Sequence, residues 1–437
     1  MLEYSIQLPE FQEILDFLKR SDDEFDKPLS SKLDLDAYAC KLWENSAVVT
    51  CRDNGVIVGM LNCYVNRPPL GFISNVCVLG AYQGKGAFTK MFSMLCRHCW
   101  SQGVEMIALE VNKGNEKALK AYSEIGFVIS EDRGGSWYMI FHIPKVSVIC
   151  CAYNQESYIR ECIDGLVNQE TSFRYEIIIH DDASADGTAD IIREYHQKYP
   201  DLIRPICQRE NQYSRKTGIL KTFVYPRLKG KYVAICEGDD YWTDPKKLQK
   251  QVEVLEAEPH YSMCSTACDR HVQETGETSA FFPSIQRILS WENLLKKNCI
   301  ANLTTLVRTE YLVEYNRDVS PTMPYFPMGD YPMWLFMASK GPVIQLADNT
   351  ATYRILARSA SHFPDPKEMI AFEVAAVNVA IWSNKKYRFG KKGLSLRKLN
   401  VIRKKCRKVS RKTGKGPFGL VLWGLWYGIT HPSPRVI

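Results

Sequence analysis

The chain has no uninterrupted apolar run of about 18 residues, so no membrane-spanning helix is expected. Its start, Met1-Leu2-Glu3-Tyr4, lacks both a basic stretch and an apolar core, so no secretory signal is expected either. Without one, the 15 cysteines read as reduced thiols of a cytoplasm rather than as a disulfide framework. Acidic residues are missing altogether between Lys385 and Lys415, where 15 Lys or Arg fall. The net charge of +7 therefore leaves −8 for the rest of the chain (7 minus 15). That asymmetry excludes reading the total as the footprint of a nucleic-acid-binding protein, and no nucleic-acid partner is expected.

At 437 residues the chain is too long for one core, and 45% hydrophobic with 24% charged residues suits two or three globular domains. Two cysteine clusters have spacings that could suggest metal. Cys96 and Cys99 share a helical face with Phe88, Phe92 and Leu95, which reads as core packing. Cys264 and Cys268, with His271, lack a fourth ligand nearby and read as structural.

Over the first 143 residues, strands are expected at 2–6, 47–52, 56–64, 71–79, 106–111, 127–130 and 137–143. Helices are expected at about 10–20, 35–45, 86–101 and 116–125. The junction Gln83-Gly84-Lys85-Gly86-Ala87 leaves a strand and opens a helix. Its glycines let a backbone approach a ligand, and the first N–H groups of the helix favour an anion such as a pyrophosphate, though such glycines also make ordinary turns. Further on, Ala118, Tyr122 and Ile125 share a face of the helix that opens at Asn115 and ends at Gly126. Tyr122 could be simple core.

Together these elements resemble the GNAT family of acetyl-CoA-dependent N-acyltransferases over nearly all of residues 1–143. The resemblance implies that Gln83, Gly84, Lys85, Gly86 and Ala87 cradle the CoA pyrophosphate. It implies that Asn115 opens the second cofactor motif and that Tyr122 protonates the leaving thiolate. One departure stands out: Phe88 occupies a position where that family has Gly or Ala.

After Pro144, a buried strand Val146–Cys151 begins a second region. It runs into Ala152-Tyr153-Asn154-Gln155, then a helix, then a strand ending in His180-Asp181-Asp182 and a polar turn to Thr188. This strand-helix rhythm implies right-handed crossovers and a parallel sheet, with ligands at the carboxyl ends of its strands. A third strand, Tyr232–Cys236, ends in Glu237-Gly238-Asp239-Asp240-Tyr241-Trp242. Adjacent carboxylates at a strand end must stay hydrated or find a cation. The sequence alone leaves open a solvated turn or a site for Mg2+ or Mn2+ shared with a phosphate.

Residues 145 to about 365 resemble family 2 inverting glycosyltransferases of the GT-A fold, through Val148–Asn154, Asp181–Thr188 and Glu237–Pro245. The resemblance implies a nucleotide-sugar donor bound by Cys151, Tyr153, Asp182 and Asp239, with Asp239 and Asp240 as the metal pair. The segment Asn211–Lys216 would line the donor pocket, or be a solvated loop. Asp330, in Gly329-Asp330-Tyr331-Pro332, would be the base that inversion requires; a helix N-cap is the other reading. Tyr353-Arg354 and Ser361-His362 would belong to a loop closing over the donor.

Residues 366–384 read as an apolar helix. The basic run follows, then a nearly apolar stretch from Pro417 to Ile429 with Trp423, Trp426 and Tyr427. Basic residues beside Trp and Tyr suit a membrane surface, with a solvated or RNA-binding arm as the other reading.

The expected architecture is α/β: a GNAT-like mixed-sheet domain over 1–143, a GT-A nucleotide-sugar domain over 145–365, and a helical, basic, membrane-surface tail over 366–437. The expected function is metal-dependent sugar transfer with inversion to a glycan or lipid-linked glycan acceptor, in bacterial surface polysaccharide synthesis. The expected location is cytoplasmic, peripheral to the inner face of the membrane. The first domain is expected to acylate an amine from acetyl-CoA; alternatively it is a non-catalytic binding or assembly module.

Overall fold

The computed structural model describes residues 2–25, 28–215, 218–324, 326–357 and 366–394, with residues 400 and 404. The chain divides into two compact units. The first holds Met1–Ser147 with Phe173–Glu176 and Gln212–Lys231. The second holds Val148–Ser172, Ile177–Asn211 and Tyr232–Ile437.

The first unit is built on β1 (Glu3–Ser5), β2 (Ala47–Asp53), β3 (Val56–Tyr64), β4 (Leu70–Val78), β5 (Met106–Asn112), β6 (Val128–Asp132) and β7 (Ser136–His142). They form one sheet in the order β1-β2-β3-β4-β5-β7-β6. Helices α1 (Phe11–Arg20) and α2 (Leu35–Asn45) cover it through Ile14, Phe17, Leu18, Ala39 and Leu42, all fully buried. Helix α3 (Ala87–Ser101) buries Met91, Phe92, Leu95, Cys96 and Cys99, and α4 (Glu116–Ile125) packs Ala118, Leu119, Tyr122 and Ile125 against the same cluster. The alternating burial of β4 follows the two-residue period of a strand. Two irregularities mark the middle of this sheet. β4 and β5 pair in parallel only over Leu70–Ile73 with Met106–Leu109, and the β3–β4 ladder shifts register between Asn62 and Cys63.

The second sheet comprises β8 (Val146–Ala152), β9 (Tyr175–Asp181), β10 (Ile203–Cys207), β11 (Tyr232–Ile235), β12 (Tyr241–Trp242), β13 (Met263–Val272), β14 (Glu277–Phe282), β15 (Arg287–Leu289), β16 (Leu306–Arg308) and β17 (Val343–Ile355). The main order is β10-β9-β8-β11-β16-β13-β17-β12, with β14 on β13 and β15 on β17. Its helices are α5 (Ile159–Val167), α6 (Thr188–Lys198), α7 (Lys247–Ala257), α8 (Trp291–Lys296), α9 (Thr309–Glu314), α10 (Asp330–Lys340) and α11 (Pro366–Lys386). β8 and β9 are almost wholly buried, as strands covered on both faces must be.

The parallel pairing expected from the strand-helix rhythm does not extend through the whole sheet. β10 and β9 are parallel, but β16 runs antiparallel to both β11 and β13, and β12 antiparallel to β17. The regular strand-helix alternation gives way after α7, where β13 turns at Gly276 (φ 70°) into the antiparallel β14 while still pairing in parallel with β17. The apolar helix expected at 366–384 is α11, which buries Ile370, Val374, Ala375, Val379 and Ala380. No helix among the described residues is long and apolar enough to cross a membrane.

Candidate active site

Three strand ends meet at one edge of the second sheet. β8 runs out through Ala152 to Tyr153, which is 49% exposed. β9 ends beside it: the Asp182 N–H donates to the Ala152 carbonyl at 3.1 Å. The chain leaving β11 closes on the other side, where the Gly238 N–H donates to the Cys151 carbonyl at 2.9 Å. Tyr153, Asp182 and the Glu237–Asp240 segment, far apart in sequence, are thus neighbours.

The loops at this edge are held tightly. Asn154 and Ala183 both adopt left-handed backbone (φ 52° and 62°), a conformation that needs local support in a non-glycine residue. The support is mutual. Asn154 N–H donates to Ser184 Oγ at 2.9 Å, and Ala185 N–H donates to Asn154 Oδ1 at 2.8 Å. Gln155 N–H donates to Thr188 Oγ1 at 2.8 Å, and Glu156 N–H donates to Asp186 at 3.1 Å. Asp181 accepts from the Ser184 N–H and hydroxyl and so shapes the turn. Asn211 donates to the Asp182 carbonyl at 3.2 Å, which brings the start of the Asn211–Lys216 segment to this edge; Lys216 lies outside the described residues.

The carboxylates crowd together beyond this point. Asp240 is 2% exposed, and its Oδ1 accepts the backbone N–H of Arg354 at 2.8 Å. Burial first, then Asp239 and Glu237, hold its carboxyl well above the usual carboxylate range. Asp239 is raised by burial too. Glu237 is pushed up to about 7 by burial, then by Asp239 and Asp330. Asp330 stands at the first position of α10, held by its own neighbour's N–H (Tyr331, 2.7 Å) and by Asn298 Nδ2 at 3.3 Å, and burial raises its carboxyl. Cys151 is partly exposed, and its thiol is raised by burial and then by Cys150, Glu237 and Asp182.

Such a cluster is short of positive charge. Among the described residues no group of three or more His, Cys, Asp or Glu is arranged to hold a metal ion by itself. An ion held by Asp239 and Asp240 would have to take its remaining ligands from water and phosphate, the usual condition for Mg2+.

In the first unit, Gly84 and Gly86 are left-handed (φ 73° and 75°), and Gly86 is the N-cap of α3. Gln83 Nε2 donates to the Val78 carbonyl at 2.7 Å and Gln83 Oε1 accepts from Lys117, so this side chain ties the loop to α4. Lys85 turns back to the Ala81 carbonyl at 2.9 Å. Ala87 is buried at the first position of α3. Asn115 caps α4, accepting the Ala118 N–H at 2.9 Å. Tyr122 lies edge-on to Phe88, with ring centres 5.8 Å apart, and burial pushes its hydroxyl up to about 12.

Comparison with known proteins matches both regions. Residues 147–309 match the model of Glycosyl transferase family 2, and residues 11–127 that of the Acetyltransferase (GNAT) family. The chain thus carries a stretch similar to the GNAT family followed by a stretch similar to family 2 glycosyltransferases, each matching less than half of its length. An uncharacterized protein of Mycobacterium tuberculosis (strain ATCC 25618 / H37Rv) is 38% identical over 221 residues, covering 50% of this chain and 60% of that protein. The UDP-Glc:alpha-D-GlcNAc-diphosphoundecaprenol beta-1,3-glucosyltransferase WfaP of Escherichia coli is 29% identical over 217 residues, covering 49% of this chain and 79% of that enzyme. Among solved structures, S. aureus TarS 1-349 in complex with UDP-GlcNAc aligns with 66% of this chain and 89% of that one, at 18% identity and a TM-score of 0.42.

The candidate site also contains residues that sequence reasoning passed over. Asn302, which opens a 3-10 turn, donates to Glu237, and Asn298, between α8 and that turn, donates to Asp330. Arg354 was expected only as part of a closing loop. Instead it lies on β17, 6% exposed, donating to the Asp239 carbonyl at 2.8 Å, to Gln273 at 2.6 Å and to Glu161 on α5. Ser361 and His362 lie outside the described residues, as does the tail beyond Leu394 apart from residues 400 and 404.

Proposed function

We propose that the glycosyltransferase region moves a sugar from a nucleotide-diphosphate donor to an acceptor hydroxyl with inversion, in bacterial surface polysaccharide synthesis. The observation that carries this reading is the meeting of Tyr153, Asp182 and the Asp239–Asp240 pair at one sheet edge. Tyr153 offers an exposed aromatic face to the base, and Asp182 offers hydrogen-bond acceptors beside it. Asp239 and Asp240 would hold a divalent cation, which would neutralise the diphosphate as it departs. Asp330, raised by burial and oriented by Asn298 and its own helix start, would take the proton from the acceptor hydroxyl. Cys151 would line the donor pocket under Glu237 and Asp182.

The donor class is a nucleotide sugar, and the acceptor a glycan or lipid-linked glycan, in keeping with the diphosphoundecaprenol-linked substrate in the name of the Escherichia coli relative. The location would be the inner face of the membrane, with the basic tail as one point of attachment. The boundaries 1–143, 145–365 and 366–437 are proposed as functional divisions. A panel of nucleotide sugars, assayed for nucleoside-diphosphate release with and without Mn2+ or Mg2+, tests the proposal. Asp240→Ala should abolish release; undiminished release by that variant would overturn the assignment.

For the GNAT region the proposal is acyl transfer from acetyl-CoA to an amine, on the donor sugar or the growing glycan. Gln83–Ala87 and Asn115 would seat the cofactor, and Tyr122, whose hydroxyl stays protonated, would supply the proton to the departing thiolate. One observation favours a second reading. Phe88 packs edge-on to Tyr122 where a small residue would leave room, which suits a non-catalytic binding or assembly module. Titration calorimetry with acetyl-CoA separates the two: binding supports the enzyme, and its absence the module.

A further inference from the structure

The second unit carries an apolar projection that sugar transfer does not use. β14 runs out through Phe281 and Phe282 into the loop that leads to β15. Phe281, Ile285 and Ile288 are 38%, 56% and 56% exposed, within eight residues of one another in sequence. Single exposed apolar residues are ordinary; a group of large ones marks an interaction surface. The loop is also fixed in shape. Buried Gln345 donates to the Pro283 carbonyl and accepts from Arg287 Nε, both at 3.0 Å. Phe281 stacks on Tyr353 with ring centres 5.4 Å apart.

Cations stand beside this loop. Lys296 and Lys297 are exposed at the end of α8. At the start of α8, Trp291 stacks face to face on Phe389, 4.9 Å apart and 3° from parallel. Lys391 lies 4.0 Å from Glu292 on the same helix. Asn384 closes the turn between them, accepting the Lys391 N–H at 2.9 Å and donating to its carbonyl at 3.0 Å. The stretch Lys385–Lys392 has five basic residues and no acidic one, and Lys385, Lys386, Arg388 and Lys392 are exposed. The beginning of the basic run is therefore set against α8, next to the apolar loop.

We propose that the Phe281–Ile288 loop, the exposed end of α8 and the Lys385–Lys392 turn form a docking face for an anionic lipid bilayer. Apolar tips suit the boundary between headgroups and acyl chains, and flanking cations suit anionic headgroups. A second copy of this chain is the poorer occupant, because a two-fold contact through this face would oppose its own cations. Asn298, two residues past α8, donates to Asp330, so docking would bring the proposed base to headgroup level. That consequence rests on the transferase reading; the docking face does not.

The test is flotation of the full chain with vesicles of phosphatidylcholine alone, or of three parts phosphatidylcholine to one part phosphatidylglycerol. The expected result is binding to the anionic vesicles, weakened about tenfold in Ile285→Glu/Ile288→Glu. Lys296→Glu/Lys297→Glu should weaken binding to anionic vesicles and flatten its salt dependence. All four side chains are exposed, so both variants should melt like the parent. Failure of the parent to bind, or unchanged binding by both variants, would overturn the proposal. So would a change in sedimentation from dimer to monomer in the Ile variant with vesicle binding intact. Nucleoside-diphosphate release measured on the same samples without vesicles reports on the transferase reading separately.

Discussion

The backbone N–H of Arg354 donates to the Asp240 carboxylate at 2.8 Å, while its side chain donates to the carbonyl of Asp239 at the same distance. One residue of β17 thus grips both halves of the acidic pair. Its guanidinium also lies 5.0 Å from the ring centres of both Tyr158 and Tyr241. A lysine would keep the charge but not the planar fork that reaches Asp239, Gln273 and Glu161 together. Arg354→Lys is expected to lower nucleotide-sugar turnover by about 10²-fold through misplacement of Asp239. Arg354→Ala should also cost about 3 kcal/mol of stability, because it strips the buried pair of its cation. Urea unfolding beside a nucleoside-diphosphate release assay separates the two effects. Equal turnover by the Lys variant and the parent would contradict this role.

Gly165 on α5 gives a test of packing under the same segment. A Cβ there would stand 2.6 Å from the Trp242 carbonyl oxygen and 2.9 Å from its nitrogen, and backbone cannot swing aside. At Gly238 the obstacles are the Gln155 and Ile159 side chains, which can move. Gly165→Ala should therefore destabilise by about 2–3 kcal/mol, and Gly238→Ala by less. Thermal denaturation of the two variants, measured together, would refute the argument if the order were reversed.

The individual elements of this chain were legible locally, and the site only in part. Asn115 and Gly126 bracket α4 as cap chemistry predicts, the latter with φ 111°. The motifs at Tyr153, Asp182 and Asp239 are each contiguous, and each follows a strand, so sequence spacing was enough to place them at strand ends. Arg354 could not be found that way. It lies 114 residues from Asp240, and their contact depends on β17 running between β13 and β12, an order no local periodicity carries. Asn298 sits in irregular backbone and Asn302 opens a single 3-10 turn (Asn302–Thr304), where no hydrophobic period marks them. The mixed strand directions were missed for the same reason: β16 pairs antiparallel with β11 and β13, and β12 with β17, strands far from one another in sequence.

Two groups, half-buried Glu237 and buried Lys247, should tilt stability with pH in opposite directions. Glu237 is raised from 4.5 to about 7, so the folded state holds its proton more tightly than the unfolded chain does. Stability then falls as pH rises between those values. Lys247 is fully buried over the Trp242 ring, donating to Gln251, and burial lowers it from 10.5 to about 7. Here the unfolded chain binds the extra proton, so stability rises between pH 7 and 10.5. Melting temperatures of the metal-free protein across that range should show the acid-side slope reduced in Glu237→Gln and the alkaline-side slope reduced in Lys247→Met. Identical profiles for parent and variants would rule out these assignments. Added Mg2+ or Mn2+ should raise the melting temperature most near neutral pH, where the carboxylates can ionise.

Gly86 and Phe88 frame the last prediction, since they act on the proposed cofactor loop in different ways. Gly86 is left-handed with nothing within 4 Å of a Cβ, so Gly86→Ala costs backbone strain of about 1–2 kcal/mol and no clash. Relaxing that strain would turn the first N–H groups of α3 away from an anion. Acetyl-CoA affinity measured by calorimetry should fall about tenfold or more, by the strain alone. Phe88 is the converse case. Its ring fills the space beside Tyr122, against Phe92 at 5.9 Å. Phe88→Ala would open that space at some cost in packing. If the GNAT region is a working acyltransferase, the alanine should leave acetyl-CoA binding unchanged or weaken it, because the parent pocket already admits the cofactor. If the region is a module closed by Phe88, the parent should not bind acetyl-CoA and the alanine variant should gain binding.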